Sequence, residues 1–171
     1  MEETYIGYIG MTDCGDAKCQ KNRNNLRKDQ DTFYTTYADS VFTTHYDEIA
    51  SRLTTRVNVS SYSGTMCLGV RALWDTGAVT TAISKTLAER LRLQSPVDTM
   101  ITISATGKWE SPCHYLVIQI ANDIRFENVK VVEYPLENHD VDILLGMDII
   151  SKGRLTVNNE NGNTVVEFEL V

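Results

Sequence analysis

The stretch "ALWDTGAVTTAIS", residues 72 to 84, sets a carboxylate, Asp75, directly behind an apolar run and ahead of a threonine and a glycine. A carboxylate at the edge of a core is costly unless something satisfies it. Taken alone, Asp75, Thr76 and Gly77 read as a strand-ending Asx turn in which Gly77 supplies a positive φ. A second stretch changes that reading. In "DILLGMDII" (142–150), Leu144, Leu145 and Gly146 end another buried strand and lead into a short helix.

From about Thr55 the period changes: "RVNVSS" alternates, and "TMCLGVRALW" is a near-continuous apolar strand candidate. "MITISA", "HYLVIQIA" and "VKVVEY" follow as short β-rich runs split by Gly, Asn, Asp and Pro. "TVVEFELV" alternates Val166, Phe168 and Leu170 with Glu167 and Glu169, after an Asn161-Gly162 turn. Two short helices interrupt the pattern. "SKTLAERLRL" has Ser84 as N-cap with Leu87, Ala88 and Leu91 on one face, and "MDIISKG" (147–153) ends on Gly153, a good C-cap residue. The fold class expected is mainly β.

Residues 1–53 differ in texture and are expected to be an extension to a domain spanning 54–171. Residues 12–32 are polar with few apolar anchors and read as a loop or disordered arm. "DSVFTTHYDEIASRL" (39–53) spaces Val41, Phe42, Tyr46, Ile49 and Leu53 by threes and fours behind Asp39, which predicts an amphipathic helix.

Composition bounds the function. With 171 residues, 42% of them hydrophobic, the chain can bury one substantial core. Its net charge of -7 argues against nucleic acid and anionic membranes as partners. The basic cluster of Lys18, Lys21, Arg23, Arg27 and Lys28 reads as a solvated surface. No run approaches the ~20 apolar residues of a membrane span, and "MEETYIGYIG" opens with acid where a secretory signal opens with base. The expectation is a soluble, cytoplasmic protein. Cys14, Cys19, Cys67 and Cys113 are too few and too irregular for a disulfide framework, and "CGDAKC" lacks the spacing of a zinc pair. No metal or cofactor is expected. His45, His114 and His139 accompany no G-x-S-x-G or H-E-x-x-H pattern and read as surface or hydrogen-bonded residues.

Asp75-Thr76-Gly77-Ala78 followed by "AISKTLAERLRL", then "ISATGKW" and "LLGMD", resembles the retropepsin family of aspartic proteases, most closely its cellular and bacterial members. The resemblance covers roughly residues 55–171. It implies a closed β-barrel of the acid-protease fold, one protomer of a homodimer acting on a peptide or protein substrate. By resemblance Asp75, Thr76 and Gly77 form the catalytic loop, Thr76 bonding across the twofold axis. Ala78, Val79, Thr106, Gly107 and Lys108 would meet substrate, and Leu144, Leu145 and Gly146 would support the loop from beneath. The segment from Ile101 to Leu116, with Gly107 near its tip, would be the flap, and the terminal strand would interleave between protomers.

Such catalysis needs two carboxylates, because a like-charged pair shares one proton and so presents a base and an acid to one water. "VDTMI" offers Asp98-Thr99 but no glycine, and no other D-[ST]-G occurs. The second Asp75 would therefore come from a second chain. Two departures from the viral pattern stand out: the long segment before the catalytic strand, and a flap stretch, "SATGKWESPC", that contains Pro112 and lacks a glycine-rich tip. The alternative function is a retropepsin-like module that dimerises or binds peptide without cleaving it.

Overall fold

A computed structural model describes residues 33–38, 41–62, 66–93, 96–104, 107–121, 124–136 and 140–171, with the backbone alone for 33–38, 104 and 109. In chain order the elements are β1 (Phe33–Ala38), β2 (Val41–Tyr46), β3 (Thr54–Ser61), β4 (Cys67–Trp74), β5 (Ala82–Ile83), α1 (Lys85–Arg90), β6 (Asp98–Ser104), β7 (Gly107–Gln119), β8 (Arg125–Glu133), β9 (Ile143–Leu145), α2 (Met147–Ile150), β10 (Gly153–Glu160) and β11 (Asn163–Leu170). Strands dominate, as the β-rich runs predict.

Seven strands form one sheet in the order β3-β4-β9-β5-β8-β7-β6, and β3 also pairs with β7, from Asn58 opposite Gln119 to Ser61 opposite Leu116. That pairing closes a mixed barrel and removes the open edges an untied sheet would expose. β6 stays outside it, bonded only to β7, so the β6–β7 hairpin overhangs the barrel. A register shift between Leu116 and Ile118 lets the long β7 bend from hairpin into wall. Inside, Val57, Val59, Val70, Ala72, Ile83, Leu116, Ile118, Val131, Ile143 and Leu145 fill one continuous core.

A second sheet, β1-β2-β11-β10, contributes Phe42, Tyr46, Val166 and Phe168 to the same core. Phe168 lies 5.1 Å from Trp74 and 6.4 Å from Phe126, ring centre to ring centre. The chain's last strand is thus packed on the residue that precedes Asp75. The turn into β11 is the expected one: Asn161 and Gly162 both take positive φ, 53° and 83°, and Glu160 pairs with Asn163.

Three expectations need correction. The helix over 39–53 is absent: Val41–Tyr46 is a strand that buries Phe42, Thr44 and Tyr46 alternately, and Ile49 is exposed. Its β-branched and aromatic residues fit a pleated surface, and the edge of β11 supplies the partner that a helix would forgo. Gly153 does not cap α2, whose C-cap is Ser151. Gly153 opens β10 instead, where a Cβ would collide with the Glu169 carbonyl and the Phe168 ring. Finally, β11 is an inner strand with β2 on one edge and β10 on the other, so it has no edge left to interleave with a partner.

Residues 12–32, Cys14, Cys19 and His139 lie outside the described residues. Among the described residues no helix is long and apolar enough to cross a membrane, and Cys67 and Cys113 form no disulfide. His114 is buried and bonds Glu133 across β7 and β8 at 2.7 Å, a satisfied core histidine.

Candidate active site

Asp75 leaves the barrel at the end of β4, where the parallel pairing of β4 with β9 sets Trp74 opposite Leu145. Its N–H continues that ladder by donating to the Leu145 carbonyl at 3.0 Å. The chain then turns sharply: Gly77 N–H donates to Asp75 Oδ1 at 2.8 Å and Ala78 N–H to the Asp75 carbonyl at 3.2 Å. Asp75 is half-buried, while Thr76 and Gly77 face solvent. The Asx turn expected from sequence is therefore present, but Gly77 does not supply a positive φ to it: among the described glycines only Gly107 and Gly162 take one.

What holds this loop is a glycine and a carboxylate beneath it. At Gly146 a Cβ would stand 2.7 Å from the Thr80 carbonyl carbon and 3.0 Å from the Ala78 oxygen, so only glycine lets the two backbones approach. The first turn of α2 then clasps the loop, Met147 N–H donating to the Ala78 carbonyl at 2.8 Å and Asp148 N–H to Val79 at 3.2 Å. Asp148 completes the clasp, with Oδ1 accepting from the Thr81 hydroxyl at 2.7 Å and Oδ2 from the Thr81 N–H at 3.0 Å. Thr81 Oγ1 in turn accepts from the Gly146 N–H at 3.2 Å. Sequence reasoning missed this pair. No local sequence signal marks it, because the two residues lie far apart in the chain: the threonine is fully buried and the acid sits in the first turn of α2, where the helix dipole favours it.

Leu144 and Leu145 part company, as strand neighbours must. Leu145 enters the barrel core, whereas Leu144 points the other way to join Ala82, Cys113, Val132, Met100 and Tyr134 in a second apolar cluster. Met100 belongs to β6, so the overhanging hairpin covers this outward face. Burial raises the Cys113 thiol above its ordinary pKa and keeps it unionised.

The hairpin is itself braced by Thr102–Ser111 and Thr99–Glu110 hydrogen bonds, both 2.9 Å, and by Lys130 Nζ donating to Asp98 Oδ2 at 2.7 Å. That bond holds the Asp98 carboxyl below its usual range and raises Lys130. Gly107, at φ 145°, opens β7, and Lys108 beside it is exposed. Thr106 lies outside the described residues. Asp75, Thr76, Gly77, Ala78, Val79, Leu144, Leu145 and Gly146 thus meet in one loop-and-clasp unit, while Gly107 and Lys108 lie on the hairpin.

The profile of the aspartyl protease family matches residues 57–149. No curated protein sequence matches the chain. Among solved structures, a retropepsin-like aspartic protease from Rickettsia conorii is 17% identical over 81% of this chain and 96% of its own, with a TM-score of 0.50. The protease of simian foamy virus (mac) is 21% identical over 58% of this chain and 92% of its own, at a TM-score of 0.41. The retroviral protease-like domain of Ddi1 from Leishmania major is 18% identical over 68% and 92%, at 0.42. The barrel with its loop over Gly146 is retropepsin-like, and the chain belongs to the aspartyl protease family.

Proposed function

We propose that the protein is a homodimeric aspartic endopeptidase whose active site forms from two Asp75 side chains, one per subunit. The observation that carries this reading is the single Asp75-Thr76-Gly77 loop, anchored on two parallel strands and clasped by Gly146 and Asp148, in a chain with no second D-[ST]-G. Two such loops facing each other across a twofold axis share one proton. One carboxylate oxygen takes a proton from the water that attacks the scissile carbonyl, and the shared proton passes toward the carbonyl oxygen. Tetrahedral collapse then releases amine and acid.

In this reading Thr76 bonds across the axis, Ala78 and Val79 flank the substrate backbone, and the β6–β7 hairpin with Gly107 and Lys108 closes over the peptide to exclude water. Extended substrates with apolar side chains suit the site, because Val79, in the segment that follows the Asp75 loop, is 81% exposed. The catalytic unit is residues 54–171, to which β2 adds a strand.

Asp75→Asn tests the reading. Cleavage of a peptide library by the wild type should fall at least about 10²–10⁴-fold in the variant, with thermal unfolding unchanged or slightly raised. A hydroxyl-bearing mimic of the tetrahedral state should inhibit only the wild type. Retained cleavage by Asp75→Asn would remove Asp75 from the chemistry.

A further inference from the structure

We propose that Asp98 and Lys130 are positioning residues: their ion pair latches the β6–β7 hairpin onto the barrel and sets how readily the hairpin lifts from the outward face that carries Leu144. The kinetic consequence of the latch rests on the peptidase reading above, whereas the latch itself does not.

The strand connections leave the hairpin few anchors. β6 bonds along its length to β7 and to no other described strand, and β7 joins β8 only from Cys113 onward. The residues between Asp98 and Cys113 therefore overhang the barrel wall, and Asp98 and Cys113 sit opposite each other at the root. Side chains two apart on a strand, and those directly opposite on its neighbour, share one face. Asp98 and Met100 on β6, Cys113 on β7, and Lys130 and Val132 on β8 accordingly lie on the face to which Leu144 points.

Two contacts hold the overhang on that face. Met100 packs on the apolar cluster of Cys113, Val132 and Leu144. Lys130 Nζ reaches past β7 to donate to Asp98 Oδ2 at 2.7 Å. The hydroxyls of Thr99 and Thr102 bond only to β7, at Glu110 and Ser111. Among the described residues Asp98 is thus the one β6 side chain with a polar bond beyond β7. Its other oxygen, Oδ1, accepts from the Thr99 N–H at 2.8 Å, which fixes the carboxylate on its own strand.

The pair is built to release. Asp98 is 58% and Lys130 34% exposed, so water and salt screen the bond and it adds little to global stability. A weak tie suffices, because lifting the overhang breaks only this bond and the Met100 packing, while the β6–β7 ladder travels with the hairpin. Breaking the pair shifts the hairpin toward the lifted position without unfolding the barrel. Lifting uncovers Cys113, which is fully buried in the closed form, and leaves a bound peptide less enclosed.

Alkylation of the native full chain by iodoacetamide, read at each cysteine by mass spectrometry, measures the latch, and peptide cleavage measures its use. Asp98→Asn and Lys130→Met should each label Cys113 about threefold faster than the wild type, with Cys67 on β4 labelled at an unchanged rate and the melting temperature unaltered. The double variant should match the singles, because the same bond is lost in all three. Raising salt to about 1 M should accelerate the wild type and leave the variants unmoved. In the peptide assay KM should rise about threefold with kcat unchanged. Electrostatics without a latch would drive the two single variants apart, since Lys130 lowers the pKa of the Cys113 thiol and Asp98 raises it. Opposite shifts in labelling, or none, would therefore overturn the latch whatever the peptide assay shows. Faster labelling with an unaltered KM would overturn its part in the reaction. A wild type that cleaves no peptide would overturn the peptidase reading, and the labelling would still decide the latch.

Discussion

Gly146 is the residue on which the Asp75 loop rests, and the constraint there is space, not backbone angle. A methyl group would meet the carbonyl carbon and oxygen of Thr80 and the oxygen of Ala78, all backbone atoms that cannot rotate aside. Gly146→Ala should therefore destabilise the protein by at least about 2 kcal/mol and displace the loop that carries Asp75. Urea unfolding together with the peptide assay measures both effects, and wild-type stability in the variant would show that the loop yields easily. Asp148 acts on the same loop by a different route. Its carboxylate takes two hydrogen bonds from Thr81, so a buried hydroxyl and an orphan amide are satisfied at once.

Among the elements, β2 shows how pairing overrides local spacing. Residues 41–53 could place Phe42, Tyr46, Ile49 and Leu53 on one helical face, yet the strand sets Phe42 opposite Phe168 and lets Tyr46 reach the Thr54 carbonyl with its hydroxyl. Burial pushes the Tyr46 phenol up to about 12. The neutral phenol is thus favoured in the folded state. Its contribution is fully present below the unfolded value of about 10 and is lost as pH rises from there to about 12. Chemical denaturation between pH 9 and 12 should reveal an extra loss on the order of 2 kcal/mol in the wild type relative to Tyr46→Phe. Identical slopes for the two proteins would refute the assignment.

At the scale of the whole molecule, the two sheets are one mechanical unit because Trp74 and Phe168 share a core. The end of the chain therefore supports the start of the Asp75 loop. Phe168→Ala should cost about 3–5 kcal/mol, since it empties a fully buried site between Trp74 and Phe126. Calorimetry would register a correspondingly lower melting temperature, and a shift of only a degree or two would mean the core collapses around the gap. Removal of residues 165–171 is accordingly expected to unfold the chain and not to release intact monomers.

Much of this protein was legible before any coordinates. The D-T-G-A and L-L-G-M-D motifs, the period-two runs, the Ser84 cap and the Asn161-Gly162 turn are local patterns, and each depends on a few neighbouring residues whose chemistry admits one favourable conformation. The family and the mainly β fold followed from them. The tertiary structure alone decided the rest: the strand state of Val41–Tyr46, the role of Gly153, the inner position of β11 and the bonds between Thr81 and Asp148. Each of these is set by a partner far along the chain, such as Phe168 against Phe42 or Asp148 against Thr81. A local pattern cannot reveal such a partner, because packing and hydrogen bonding depend on which surfaces folding brings together.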